Sequence, residues 1–235
     1  MNQLNWATEL REFSGISPRK SLADEAADTL REFILLGNLE PGLPMSERDL
    51  ADALGISRTP LKEALRILEN EGLVVYGKTR RPRVADPSLQ ELAQNLLVLG
   101  SLEALAGELA CQHATDNEID EAVRLERLME SASEDTEPLQ FFQWDMDFHK
   151  AIVHASRNDP LLEIHKTLNA RLWRARFISS KMRTGRDSTL GQHEDITEAL
   201  VARNAKECGK HMRRHLETAI TNIAATQALI IDKGK

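Results

Sequence analysis

PGLPMSERDLADALGISRTPLKEALRILENEGLVVYGKTRRPRV, from Pro41 to Val84, is the stretch on which the reading of this chain turns. Ser46 opens a helix with Asp49 three positions later, a capping-box arrangement in which Asp replaces the commoner Glu or Gln. Leu50, Ala53 and Leu54 supply its inward face. Gly55 then allows a sharp turn through positive φ, which only Gly adopts without steric cost. The next helix begins at Ser57 or Thr59, with Pro60 in its first turn where no N–H is needed, and Leu61, Leu65 and Leu68 face the core. Leu73 to Tyr76 form a short apolar strand, the chain turns from Gly77, and Lys78, Arg80, Arg81 and Arg83 put four positive charges within six residues.

Helix, tight turn, helix and basic hairpin, in that order, predict a winged helix-turn-helix facing duplex DNA. The second helix is the candidate reader. Arg58, Thr59 and Lys62 stand in its first turn, where the helix N-terminus itself favours a phosphate, and Arg48 lies on the same approach side. Ser57 and Thr59 suit backbone contacts, while Gly77, Lys78, Arg80 and Arg81 suit phosphates or the minor groove. The hairpin decides the matter, because the acids scattered through the rest of the chain are missing from Tyr76 to Ala85. Upstream, Leu22, Ala26, Leu30, Phe33 and Ile34 recur at helical spacing from Ser21 until Gly37 and Pro41-Gly42. Residues 1–20 read as an N-terminal extension.

Composition bounds the rest. The 235 residues allow two compact domains. Net charge of −7 argues against a protein that coats nucleic acid indiscriminately but permits a locally basic reading surface. Cys111 and Cys208 are far apart in sequence and match no zinc–thiolate pattern, so reduced thiols in a cytoplasmic protein are expected. No apolar run approaches the ~20 residues of a membrane span.

Pro87-Ser88 marks the expected boundary between a DNA-binding domain at 21–86 and a second, all-helical domain at 87–235. Beyond it only helical patterns occur: Ser88–His113, Asn117–Ser131 with Thr115 and Glu118 as a capping box, Leu139–Ser156, Pro160 to about Lys181, Leu190–Arg203, and Lys206 to about Leu229. The fold class is therefore mainly α, an N-terminal winged helix-turn-helix followed by an all-α helical bundle. Within the bundle, Asp145 and His149 project from one helix face a turn apart, a spacing at which a carboxylate and an imidazole can hold one divalent metal. His193 and His215 sit on two later helices, although His211 and His215 form a rival pair. His113, His154 and His165 read as ordinary histidines.

Two strings carry a family resemblance. SERDLADALGISRTPLKEALRILENEGLV is similar to the DNA-binding signature of the GntR family of bacterial transcriptional regulators, in the FadR-type branch. The pattern DxxFHxxI at Asp145 to Ile152, followed by Asn158, QHEDITEAL and HMRRHL, resembles the FCD effector domain of that branch. The resemblance implies base and phosphate contacts at Arg48, Arg58, Lys62 and near Gly77, and metal ligation by Asp145, His149, His193 and His215. The chain departs from the family at Lys62, where Arg is usual and where Lys cannot make the two-pronged contact to guanine. It departs again at Gly100, which replaces the Arg preceding the Leu-Glu of the first effector helix.

The expectation is a non-enzymatic, ligand-responsive repressor that binds an inverted-repeat operator as a homodimer. Its effector domain would hold a divalent ion, zinc first with nickel, manganese or iron open, and a small organic acid. Arg171 and Arg174, with Arg176 beside them, lie on the helix expected to cross such a pocket and are the candidates for the acid's carboxylate. Two alternatives stay open at this point: a metal-dependent hydrolase, in which the ion activates water, and a purely structural metal domain.

Overall fold

The computed structural model describes residues 20–77, 80–133, 135–180 and 186–233, with the backbone alone for 186–188 and 227–233. Nine helices and two short strands follow in order among the described residues. They are α1 (Leu22–Leu35), α2 (Glu47–Leu54), α3 (Arg58–Asn70), β1 (Val74–Tyr76), β2 (Pro82–Val84), α4 (Leu89–His113), α5 (Asp116–Glu130), α6 (Pro138–Ala155), α7 (Asp159–Ser180), α8 (Arg186–Val201) and α9 (Ala205–Lys233). The expected extension falls almost wholly outside the described residues, and α8 begins at Arg186, ahead of the expected start at Leu190.

The first unit closes around Leu30, Ile34, Leu61, Leu65, Leu68 and Val84. Ser21 caps α1 through a reciprocal capping box with Asp24. Arg31 then forks onto both oxygens of Glu71 at 2.8 Å, tying α1 to the end of α3. Two sequence expectations fail on facing. Leu22 and Phe33 are about half exposed while Ala23 and Ala27 are buried, and on α2 it is Ala51, not Ala53, that enters the core. Short helices with Ala on several faces do not fix their own rotation, so packing against α3 decides it. At the start of α2, Ser46 accepts from the Asp49 amide, a single cap bond.

Strands β1 and β2 pair antiparallel with Val75 opposite Arg83, and the segment before α2 adds a bridge from Pro44 to Arg83. This three-ply edge fixes the hairpin against the helices. In the second unit, α4 and α9 make the most extensive helix–helix contact of the described residues. Small residues on α4 permit it. A Cβ at Gly100 would lie 3.1 Å from the Leu216 Cβ, and one at Gly107 would lie 2.8 Å from the Cys208 Sγ. The departure at Gly100 thus has a packing reason: an arginine stem has no room against α9.

A buried cluster and a basic reading head

Helix α6 carries Asp145 and His149 one turn apart; α8 brings His193 and α9 brings His215 to the same point. All four are buried, and one donor atom from each lies within 4.8 Å of every other. His149 Nε2 is 3.2 Å from His215 Nε2. His193 Nε2 is 3.2 Å from Asp145 Oδ1, and His149 Nε2 is 3.6 Å from that oxygen. Donors bonded at about 2.05 Å to a small ion lie roughly 2.9–3.4 Å apart across right or tetrahedral angles, so most of this spacing fits.

The polar accounting points the same way. Asp145 Oδ1 and both ring nitrogens of His193 are buried without hydrogen-bond partners among the described residues. Orphaned buried groups of this kind cost on the order of 1–3 kcal/mol each, and a cation would satisfy Asp145 Oδ1 and His193 Nε2 together, leaving His193 Nδ1 unpartnered. Burial opposes charge on Asp145, yet His149 and His193 beside it hold its carboxyl well below the usual range. Burial keeps His193 low, and burial with the neighbouring imidazoles keeps His215 well below its ordinary value. Burial would also lower His149, but Glu103 and Asp145 outweigh it and raise its pKa to about 9.

Outer partners brace two of the ligand candidates. His215 Nδ1 meets Gln192 Oε1 at 3.0 Å, and Gln192 in turn donates to Thr218 at 3.1 Å. His149 Nδ1 lies 2.6 Å from Glu103 Oε2, an oblique approach in which charge attraction outweighs hydrogen-bond geometry. The other Glu103 oxygen lies 3.0 Å from His165 Nε2. Glu103 and His165 were not singled out by sequence. The signal was present: on α4 the buried positions Leu92, Leu96, Leu99, Glu103, Ala106 and Ala110 follow a 3-4 spacing, and Glu103 is the one acid on that stripe.

The arginines divide differently from expectation. Arg176 is buried, with Nη2 3.5 Å from Asp145 Oδ2 and Nη1 donating to Asn169 Oδ1 at 3.0 Å. Arg171 and Arg174 do not join this cluster. They line a cleft of about 100 Å³ against Gly72, Leu73 and Asp86 of the first unit. Helical geometry explains the split, because position 176 is turned roughly 140–200° from positions 171 and 174.

In the first unit, Gly55 adopts φ 65° between α2 and α3, the left-handed turn expected of it. Arg48, Ser57, Arg58, Thr59 and Lys62 are all exposed around this turn. Arg48 is 3.8 Å from Asp52 and Lys62 is 4.0 Å from Glu47, loose pairs that leave both cations available. Ser57 makes no side-chain cap bond. In the hairpin, the Arg80 amide donates to the Gly77 carbonyl at 2.9 Å, and Arg80, Arg81 and Arg83 are exposed; Lys78 lies outside the described residues.

Residues 22–84 match the bacterial regulatory proteins of the gntR family, and residues 96–218 match the FCD domain, slightly more than half of the chain. The chain belongs to the GntR family. Its relatives include the Nta operon transcriptional regulator of Aminobacter aminovorans, 32% identical over 77% of this chain and 84% of that one. The HTH-type transcriptional repressor GlaR of Escherichia coli is 31% identical over 85% and 94%. The E. coli McbR/YncC structure shares the fold, with a TM-score of 0.76 and 21% identity over 89% of this chain and all of that chain. This GntR protein is therefore a DNA-binding transcriptional regulator with an FCD effector domain, and it is not an enzyme, which closes the hydrolase alternative. Among its described residues no helix is long and apolar enough to cross a membrane.

Proposed function

We propose that this regulator is a repressor whose grip on DNA is set by a divalent ion and a small organic acid bound in the FCD domain. Asp145, His149, His193 and His215 would hold the ion, with zinc preferred for a set of three imidazoles and one carboxylate. The observation that carries this reading is the buried set of four donor side chains converging from three helices, in which Asp145 Oδ1 and His193 Nε2 have no hydrogen-bond partner among the described residues. A bound ion supplies a Lewis-acid anchor for carboxylate or hydroxyl oxygens. Arg176 replaces Arg171 and Arg174 as the residue assigned to the acid, because its guanidinium already faces Asp145.

On this reading residues 21–86 form the DNA-reading unit, 87–235 the sensing unit, and 1–20 an extension of the first. Arg48, Arg58 and Lys62 read the major groove, Ser57 and Thr59 hold the backbone, and Gly77, Lys78, Arg80 and Arg81 follow the phosphates. A homodimer on an inverted repeat is supported by the exposed apolar face of α4, where Leu97, Val98 and Leu105 are 56%, 52% and 42% exposed.

The test is fluorescence anisotropy on DNA from upstream of the protein's own gene, with and without zinc and a panel of small carboxylates. Ligand-dependent release that disappears in His193→Ala, with DNA binding intact, is the expected result. Absence of any sequence-selective binding under every condition sinks the regulator reading. A His193→Ala chain that no longer folds assigns the cluster a structural role instead.

A further inference from the structure

Glu103 sits in the middle of α4 and is wholly buried. A lone carboxylate in such surroundings is strongly destabilising unless paired and satisfied. Its two oxygens meet two different imidazoles from two different helices: Oε2 is 2.6 Å from His149 Nδ1 on α6, and Oε1 is 3.0 Å from His165 Nε2 on α7. At 2.6 Å two bare lone pairs repel, so a proton of His149 lies on the Nδ1 side, and Nε2 is the atom directed at Asp145 and His215.

The three ligand histidines are thus braced unequally. On the nitrogen away from Asp145, His149 faces a carboxylate at 2.6 Å but off the hydrogen-bond axis, His215 meets the neutral amide oxygen of Gln192, and His193 Nδ1 has neither. Charge counting adds a second reason for the acid. Asp145 and Glu103 are two buried carboxylates beside the single buried guanidinium of Arg176, so with neutral imidazoles the pocket keeps a net negative charge that favours a cation. An imidazole whose far nitrogen donates to a carboxylate is also a stronger metal ligand than one donating to an amide.

We infer that Glu103 is the positioning residue of this centre: its carboxylate holds His149 with Nε2 directed at Asp145 and His215, and His165 clasps the carboxylate from the far side. The inference rests on the four-ligand reading above and extends it to α4 and α7, neither of which supplies a ligand. His165, otherwise an unremarkable buried histidine, becomes the residue that stops Glu103 from rotating away.

The experiment uses the full chain, stripped with chelator and titrated with zinc against a chromophoric competitor, alongside Glu103→Gln and His165→Asn. With every affinity corrected for the protons released on binding, Glu103→Gln is expected to weaken zinc binding by about 10- to 100-fold while the far-ultraviolet circular dichroism stays unchanged, and His165→Asn to weaken it less. Nitrogen-15 spectra of the zinc-loaded wild type are expected to show His149 protonated at Nδ1 and ligated through Nε2. Ligation through Nδ1 overturns the proposal without any variant, so a Glu103→Gln chain that misfolds does not shelter it. Glu103→Gln affinity within twofold of wild type also overturns it and leaves the metal centre standing. Failure of the wild type to bind zinc, nickel, manganese or iron overturns the four-ligand reading and this proposal with it.

Discussion

At pH 7 each zinc ion taken up by the metal-free chain is expected to displace close to one proton. The displaced proton belongs to His149, whose pKa stands at about 9 because Glu103 and Asp145 outweigh its burial. His193 and His215 are held below their ordinary values, mainly by burial, and contribute little to the release. A ligand nitrogen must be bare, so apparent affinity rises about tenfold per pH unit below pH 9, which amounts to about fiftyfold between pH 7 and pH 9. Calorimetry in two buffers of different ionisation heat reads the proton number directly. The metal-free fold responds in the opposite sense. A histidine raised above its unfolded value of about 6.5 lends stability that is complete below that value and is lost as pH rises through about 9, on the order of 3 kcal/mol here. Over the same window the metal-free melting temperature is therefore expected to fall while the zinc-induced increase grows. Zinc affinity independent of pH, with no proton released, would refute the claim that these two carboxylates keep His149 charged.

Three further outcomes are expected. Gly107→Ala should cost about 1–3 kcal/mol in urea unfolding, since its Cβ would stand 2.8 Å from Cys208 Sγ and 3.3 Å from Met212 Cγ; a neutral result would mean that α4 and α9 can part. Glu126, buried on α5 and raised to about 7 by burial and by Glu130, penalises the fold once it ionises. Glu126→Gln should therefore stabilise the chain at pH 8 by on the order of 1–2 kcal/mol and lose that gain near pH 4.5, with equal effects at both pH values counting against it. Arg58→Ala should reduce operator affinity by about 1–3 kcal/mol and flatten discrimination between bases, whereas Arg81→Ala should lower the salt dependence by roughly one ion with base preference unchanged. Anisotropy titrations at several salt concentrations separate the two, and identical behaviour of both variants would break the division between reader and wing.

The DNA-binding half was legible because its signals are local. Gly55 turns the chain, Pro60 fits the first turn of α3, Leu61, Leu65 and Leu68 share one face, and the acid-free hairpin needs no tertiary information. Facing was harder. An eight-residue helix such as α2 offers Ala51 and Ala53 as equivalent candidates, and only contact with α3 chooses between them. In the bundle, Asp145 and His149 announced themselves by their spacing, but His193 and His215 come from helices whose convergence no local pattern encodes, and there the family resemblance supplied what periodicity lacked. The arginines of α7 divide in a way the sequence did not show because that helix has two partners: Arg176 faces inward to Asp145, and Arg171 and Arg174 face the first unit. Glu103 escaped notice because an acid in Leu-Glu-Ala looks ordinary until the stripe it occupies is seen to be buried.

The two-sidedness of α7 has a mechanical consequence. One rigid rod touches the cluster through His165 and Arg176 and touches the DNA-reading unit through Arg171, whose stem lies where a Gly72 Cβ would stand, 2.5–2.9 Å away. Side chains reach about 5–6 Å from a helix axis, so a roll of 10° carries each of them about 1 Å. On the proposed reading, a roll of α7 that followed Arg176 toward a bound acid would also move Arg171 against Gly72, and α7 would then serve as an axle as much as a wall.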